Sequence, residues 1–204
     1  MKIGYSRQGL SFRAFICAFV LTAAFYVTSF AAAAQSVRGE CVRLHILANS
    51  DSAKDQELKI KVRDRLLSSG SDLFSGSTDI KEVEKKLQKS ENELITEALK
   101  VIKDEGFDYK VTINICDEYF TTRSYGRYTM PAGKYKAVKV IIGEGKGQNW
   151  WCVMFPPLCL PGFSETEPES FLTESGSKLI QEKPVLEPRF IIVEWFEKLC
   201  DKIG

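Results

Sequence analysis

The chain has 204 residues, of which 44% are hydrophobic and 27% are charged, and its formal net charge is +1. This composition suits one folded domain with a sizeable core and excludes disordered and fibrous classes. The three basic residues Lys2, Arg7 and Arg13 all precede an apolar segment, and the rest of the chain is slightly acidic. Composition therefore gives no support for nucleic-acid binding by counterion release.

The first predicted element is an export segment at residues 1–34. Residues 14–34 carry no charge and end in four consecutive alanines. A basic start, an apolar run and small residues at its end are the layout of a signal peptide, with cleavage expected after Ala33 or Ala34 and a mature start near Gln35. A retained N-terminal membrane anchor is the alternative, because about 20 apolar residues span a bilayer. In both cases the positive-inside rule places the remainder outside the cytosol.

Residues 38–162 are predicted to form an α+β core. A short strand over residues 43–48 is followed by a helix that Ser52 caps and that ends near Gly70. Helical spacing from Asp79 and a capping box beginning with Ser90 predict two helices or one bent helix, closed by Gly106. Apolar residues recur at helical spacing along these helices and would face a sheet.

Three more strands are predicted in the second half of the core. Residues 109–116 alternate strictly between apolar and polar, and residues 135–142 lead into a loop with alternating glycines at 143, 145 and 147. The apolar run 150–155 follows and ends at a proline pair, which removes two backbone donors. Alternation along this last strand predicts that Trp150 and Trp151 face opposite sides of the sheet. The expected fold is a small, largely antiparallel sheet covered on one side by helices.

The C-terminal part divides in two. Residues 163–188 are rich in glutamate, serine and proline and are predicted to be an exposed linker or insertion. Residues 189–204 carry apolar side chains at helical spacing, including Trp195, and are predicted to form a C-terminal amphipathic helix. This helix either caps the core or docks onto a partner or membrane surface.

No catalytic or cofactor motif is present, so the sequence does not predict an enzyme. Gly145-Lys146-Gly147 lacks the Ser or Thr of a P-loop, and no zinc-binding motif is found, so no nucleotide, cofactor or metal is expected. His45, the single histidine, is interpreted as structural. Five cysteines follow the leader, and an odd number leaves at least one unpaired. Cys152 and Cys159 form a disulfide if the chain reverses at the proline pair and cannot meet if both lie in one straight strand.

Several polar and aromatic residues are candidates for binding a partner. Asn49, Ser50 and Asp51 follow the first strand, where they either cap the next helix or form a recognition surface. Asn149, Trp150 and Trp151 begin the last strand, and tryptophan is over-represented among residues that dominate binding energy. The remaining candidate is Trp195.

Four stretches of this chain resemble the stage II sporulation protein R family of spore-forming bacteria. They are Arg43-Leu-His-Ile-Leu-Ala-Asn-Ser-Asp-Ser52, the helix positions Asp55-Gln56, Leu58-Lys59 and Val62-Arg63-Asp64, Pro131-Ala-Gly-Lys-Tyr135, and Asn149-Trp-Trp-Cys-Val-Met-Phe-Pro-Pro-Leu-Cys159. The similarity covers about residues 43–162, with an echo in Val193-Glu-Trp195. The last long stretch has an unusual composition, so a chance match is improbable.

The resemblance implies a specific role in sporulation. Proteins of this family are made in the forespore and exported across its membrane, where they activate a membrane-embedded aspartic peptidase of the mother cell that processes pro-sigma-E. The expected partners are thus the external part of that peptidase and, during export, the membrane. Two other classes stay open from the residues alone: an exported hydrolase using Cys152 or Asp51 with His45, and a cell-envelope binding module whose tryptophans stack on sugar or peptide.

Overall fold

The computed structural model describes residues 7–77, 79–126, 128–159 and 171–181. In chain order three helices follow the first strand and five strands follow those helices, which is an α+β arrangement, and we number the elements in that order. They are α1 Arg7–Glu40, β1 Val42–Leu47, α2 Ala53–Leu73, α3 Ile80–Lys89, α4 Glu91–Asp104, β2 Val111–Phe120, β3 Arg123–Tyr125, β4 Tyr128–Met130, β5 Gly133–Ile142, β6 Asn149–Phe155 and α5 Glu174–Gln181.

Four strands form the central sheet in the order β2-β5-β1-β6, and β3 pairs with β4 in a separate two-stranded sheet. The β2–β5 and β1–β6 pairs are antiparallel, whereas β1 and β5 run parallel. A parallel pair needs a long crossover, which here contains α2, α3 and α4. The predicted largely antiparallel α+β sheet is confirmed, and β6 lies at its edge.

Helices α2, α3 and α4 cover one face of the sheet, as predicted. Ser52 is the N-cap of α2 and its side chain accepts from the Asp55 amide, and the apolar stripe of that helix is buried against β1 and β6. Buried residues of both layers form the main core, including Leu58, Val62, Leu66, Leu44, Ile46, Val138, Val140 and Met154. The capping box expected at Ser90 does not form, because Ser90 also ends α3 and its side chain makes no cap hydrogen bond.

The other face of the sheet is also covered, which the sequence did not predict. A second core there joins the end of α1, the β3–β4 hairpin and α5 to side chains of β2, β5 and β6, namely Val37, Cys41, Phe120, Tyr128, Met130, Tyr135, Ala137, Val153, Leu172 and Ile180. The physical reason is that this face carries large apolar side chains as well as polar ones. One-sided cover would leave Phe120 and Tyr135 in water.

Helix α1 has two parts with opposite surroundings. Its large apolar side chains between Phe12 and Val27 are exposed, and the stretch Ser11–Glu40 is long and apolar enough to cross a membrane. Its C-terminal end belongs to the domain: Ala34 and Val37 are fully buried, and Arg38 donates to the Ala132 carbonyl at 2.9 Å. The helix continues through the expected cleavage point, and whether it is cut there stays a prediction.

Helix α5 lies inside the segment that was expected to be an exposed linker. It contacts α1 and β4, and Ile180 is fully buried. Glu40 of α1 fixes its start, because one carboxylate oxygen accepts from the Thr173 amide at 2.9 Å. The predicted C-terminal helix at residues 189–204, with Trp195, lies outside the described residues.

Candidate functional site

The candidate residues Asn49, Ser50 and Asp51 form the loop between β1 and α2. Asn49 and Ser50 both donate to the Asp55 carboxylate, at 3.0 and 2.6 Å. Burial would raise the pKa of Asp55, but hydrogen bonds from these neighbours and from Tyr109 hold it below its ordinary value. Asn49 and Ser50 therefore form hydrogen bonds within the domain. The role of the three residues in partner binding stays a prediction.

The glycine loop after β5 is docked against this same β1–α2 loop. Asn49 Oδ1 accepts from the Glu144 amide at 3.0 Å, and Asp51 accepts from the Gln148 amide at 2.8 Å. The Gly147 amide donates to the Ala48 carbonyl, and a Cβ at Gly147 would lie 2.2 Å from the Ser50 carbonyl oxygen. These loop amides point into the protein, so they are not arranged to cradle a phosphate.

His45 lies on the sheet face opposite to helices α2, α3 and α4, and neighbours hold both of its ring nitrogens. Nδ1 is 3.0 Å from a Glu118 carboxylate oxygen, and Nε2 is 2.7 Å from Asn149 Oδ1. Lys139 Nζ also contacts the Glu118 carboxylate, at 2.8 Å. Burial would raise the pKa of Glu118, but hydrogen bonds from Lys139 and His45 hold it below its ordinary value.

The structure separates Cys152 from His45, one of the two residue pairs of the hydrolase alternative. Cys152 packs in the core on the helix side, whereas His45 and its cross-strand partner Trp151 face the other side. Cys152 is joined to Cys159 by a disulfide, so its sulfur is not a free nucleophile. Asp51 accepts from the Gln148 amide. Among the described residues, no group of three metal-ligating side chains is found.

Trp150 and Trp151 lie on opposite faces of β6, as strand alternation requires. Trp150 packs at the border of the main core, with the Arg63 guanidinium 4.5 Å from its ring centre. Trp151 belongs to the second core, where it stacks on His45 at a ring distance of 3.6 Å and an interplanar angle of 14°. Arg123 lies over its ring at 5.4 Å. Each tryptophan is half-buried, so neither is simply core or simply displayed.

An open groove of about 730 Å³ runs along the edge strand β6, and we call it the edge groove. One wall is the α2 side, with Gln56, Lys59 and Ile60, and the other wall is residues 122–125 around β3. Gln148 and the first three residues of the edge strand, 149–151, lie between these walls. The groove thus contains three candidate residues, Asn149, Trp150 and Trp151, and α2 and β3 enclose them from both sides.

Three basic residues at or beside this groove were not predicted from the sequence. Lys59 is 4% exposed, Arg123 is exposed, and Arg43 behind the groove is completely buried. The Arg43 guanidinium lies 4.4 Å from the Phe120 ring centre and donates to the Tyr125 hydroxyl and the Cys152 carbonyl. A weak signal existed for Lys59, which stands one turn after Asp55 on the helix face that turns toward the sheet.

The fold and the groove define a small α+β domain carrying one apolar N-terminal helix of membrane-spanning length and an open, tryptophan-lined edge. No solved structure matches the chain. The family model for stage II sporulation protein R matches residues 38–165, which is more than half of the chain. The chain therefore belongs to the stage II sporulation protein R family, and this supports a role in sporulation.

A curated relative agrees with this assignment. The stage II sporulation protein R of Bacillus subtilis (strain 168) is 34% identical over 148 residues, covering 72% of this chain. The match spans 66% of the relative's own length. The family-model match at residues 38–165 includes all the described strands and the edge groove.

Proposed function

We propose that the protein is a secreted or N-terminally anchored signal that activates a membrane-embedded aspartic peptidase by binding its external part. The peptidase would process pro-sigma-E, so the protein would link forespore to mother-cell gene expression. Family membership supports the sporulation role. The peptidase partner and export across the forespore membrane are part of the proposal.

The observation that carries the proposal is the division of α1 into an exposed apolar part and an end packed into the domain. A run of exposed phenylalanine, leucine and valine side chains on one isolated helix is unfavourable in water and suits a bilayer. Arg7 and Arg13 lie at the N-terminal end of this run, an arrangement that favours a cytosolic N-terminus and an external domain. The domain would then bind its partner on the external side of the membrane.

Activation without catalysis requires a difference in affinity. A ligand shifts its receptor only if it binds the active state more tightly than the inactive one, and equal affinity shifts nothing. The edge groove offers a preformed surface for such binding. The pairing of Cys152 with His45 in the hydrolase alternative has no geometric support, since the two residues lie on opposite faces of the sheet. A cell-envelope binding module remains the rival, because half-buried tryptophans in an open groove also suit sugars.

The proposal is tested by photo-crosslinking in sporulating cells. A photoreactive residue at Gln148, whose exposed side chain lines the groove, should crosslink to the peptidase, whereas one at the exposed Lys85 of α3 should not. Deleting the gene should stop pro-sigma-E cleavage, and the wild-type gene should restore it. Normal cleavage in the deletion strain would refute the proposed function, and crosslinks only to envelope glycan would favour the rival.

A further inference from the structure

Lys59 is a buried ammonium with neutral partners. Its residue is 4% exposed, and Nζ donates to Gln56 Oε1 at 2.5 Å and to the Gln148 carbonyl at 2.9 Å. An ammonium has three donors, and buried lysines usually pair with a carboxylate. No described carboxylate forms an ion pair with Lys59. Burial lowers the pKa of Lys59, which the charge of Asp51 partly offsets.

The lining of the edge groove is basic. It contains Lys59 and Arg123, and none of the described residues that line it is acidic. Asp51 lies near Lys59, but one of its oxygens already accepts from the Gln148 amide. The groove therefore carries positive charge, and its described lining residues supply no negative charge to balance it. A carboxylate is the group that fits.

The backbone of the edge strand is already occupied at both ends of the groove. Lys59 binds the Gln148 carbonyl, and the Tyr125 hydroxyl donates to the Trp151 carbonyl at 3.1 Å. A partner cannot add a full β-strand here without displacing these contacts. Recognition must use side chains: the two cations, the exposed Asn149 and the two tryptophans, of which Trp150 has a buried Nε1 with no hydrogen-bond partner.

Residues that line the groove are held in place before any partner binds. Trp151 is fixed by its stack on His45 and by the edge-on contact with Phe120, whose ring centre is 5.0 Å away. Tyr125 is tied to Arg43, because its hydroxyl accepts from the guanidinium at 2.7 Å. A preformed site of this kind loses little conformational entropy on binding.

We propose that the edge groove binds an acidic, extended segment of the partner protein, with Asp or Glu carboxylates bound by Lys59 and by Arg123 and the neighbouring chain packed on the tryptophans. This inference rests on the proposed function for the identity of the partner, the external part of the peptidase. It adds the chemistry of the contact: the partner segment is anionic, and this chain recognises it through side chains on an edge strand.

Binding is tested with the full chain in detergent micelles and two synthetic peptides, acetyl-Gly-Glu-Gly-Glu-Gly-amide and its glutamine counterpart. Tryptophan fluorescence and calorimetry report the affinity. The glutamate peptide should bind about tenfold more tightly than the glutamine peptide, since hydrogen bonds to a charged group are stronger. The difference should shrink at high salt. Equal affinity of the two peptides overturns the proposal.

A charge reversal separates charge recognition from folding. Arg123→Glu changes an exposed side chain, so the melting temperature should stay close to that of wild type. This variant should bind the lysine peptide acetyl-Gly-Lys-Gly-Lys-Gly-amide more tightly than the glutamate peptide. Lys54→Glu makes the same charge change at an exposed position of α2 outside the groove and should keep the wild-type preference. Identical behaviour of the two variants contradicts the inference. Lys59→Gln, which keeps a neutral hydrogen-bonding group, should weaken glutamate-peptide binding about tenfold.

Two other occupants give distinct outcomes. Binding of the sugar trimer chitotriose, with no binding of either peptide, makes the groove a glycan site and overturns the proposal. If the glutamate peptide binds only after Glu165, Glu167 and Glu169 are changed to glutamine, the carboxylate comes from this chain itself and the proposed partner is wrong.

Pro-sigma-E cleavage in sporulating cells distinguishes this inference from the proposed function. If gene deletion leaves pro-sigma-E cleavage normal, the proposed function fails whatever the peptides do. If deletion stops cleavage and Arg123→Glu restores it as fully as Lys54→Glu, the function stands and the groove is not the contact. Loss of cleavage with Arg123→Glu alone supports both.

Discussion

Replacing Asn49 with alanine should destabilise the domain without removing a partner contact. The side chain joins three elements, because it donates to the buried Asp55 carboxylate of α2 and accepts from the Glu144 amide of the glycine loop. A hydrogen bond to a charged group contributes about 1.5 to 3 kcal/mol and a neutral one about 1. Asp55 keeps its bond from Ser50, so we expect a loss of about 2 to 3 kcal/mol in the free energy of unfolding.

The assay is thermal unfolding of the full chain in detergent, monitored by circular dichroism. A loss of this size should lower the melting temperature by about 5 to 10 °C in a domain of this length. Asn92→Ala, at an exposed position of α4, is the matched control and should change the free energy of unfolding by less than about 0.5 kcal/mol.

The same two variants are then compared in sporulating cells. Pro-sigma-E cleavage with Asn49→Ala should fall only as far as the amount of folded protein falls. If Asn49→Ala melts like Asn92→Ala yet abolishes cleavage, Asn49 contacts the partner and its structural assignment is refuted.

Three further changes test other parts of the structure. The pKa of Glu118 lies below its ordinary 4.5, so the melting difference between wild type and Glu118→Gln should be largest near neutral pH and vanish as pH falls through the folded-state pKa; a constant difference would contradict this. Gly147→Ala should destabilise by at least about 2 kcal/mol, because its Cβ meets backbone, whereas Gly39→Ala on a helix with free space should stabilise slightly; equal melting would argue against the docked loop. N-terminal sequencing of exported protein should find a start near Gln35, and a membrane form beginning at Met1 would establish the anchor.

Local patterns predicted most of the central sheet and its helical layer. Strict alternation before residue 116 identified β2, and β1, β5 and β6 were each recognised as apolar runs bounded by turn residues. Ser52 was identified as a cap because its hydroxyl and the Asp55 amide are three residues apart, and the structure has this bond at 3.2 Å. These signals are local in the chain, so they can be identified without knowledge of tertiary contacts.

The second layer and the groove could not be predicted in the same way. The hairpin β3–β4 has three-residue strands, too short for a periodic signal, and α5 is polar on most of its surface. The parallel pairing of β1 with β5 depends on a crossover that a sequence pattern does not specify. Burial of Lys59 and Arg43 is also a tertiary effect. A basic side chain in a helix or strand is predicted to be solvent-exposed until its neighbours are known.

The tryptophan pair explains why folding and binding are hard to separate at this edge. The sequence predicted that the two tryptophans face opposite sides of the sheet. In the structure each is half-buried on its own face, each lies beside an arginine, and both line the edge groove. Truncating either one would remove packing and change the groove together. Only exposed groove residues that pack little, such as Arg123 and Gln148, can report on partner binding alone.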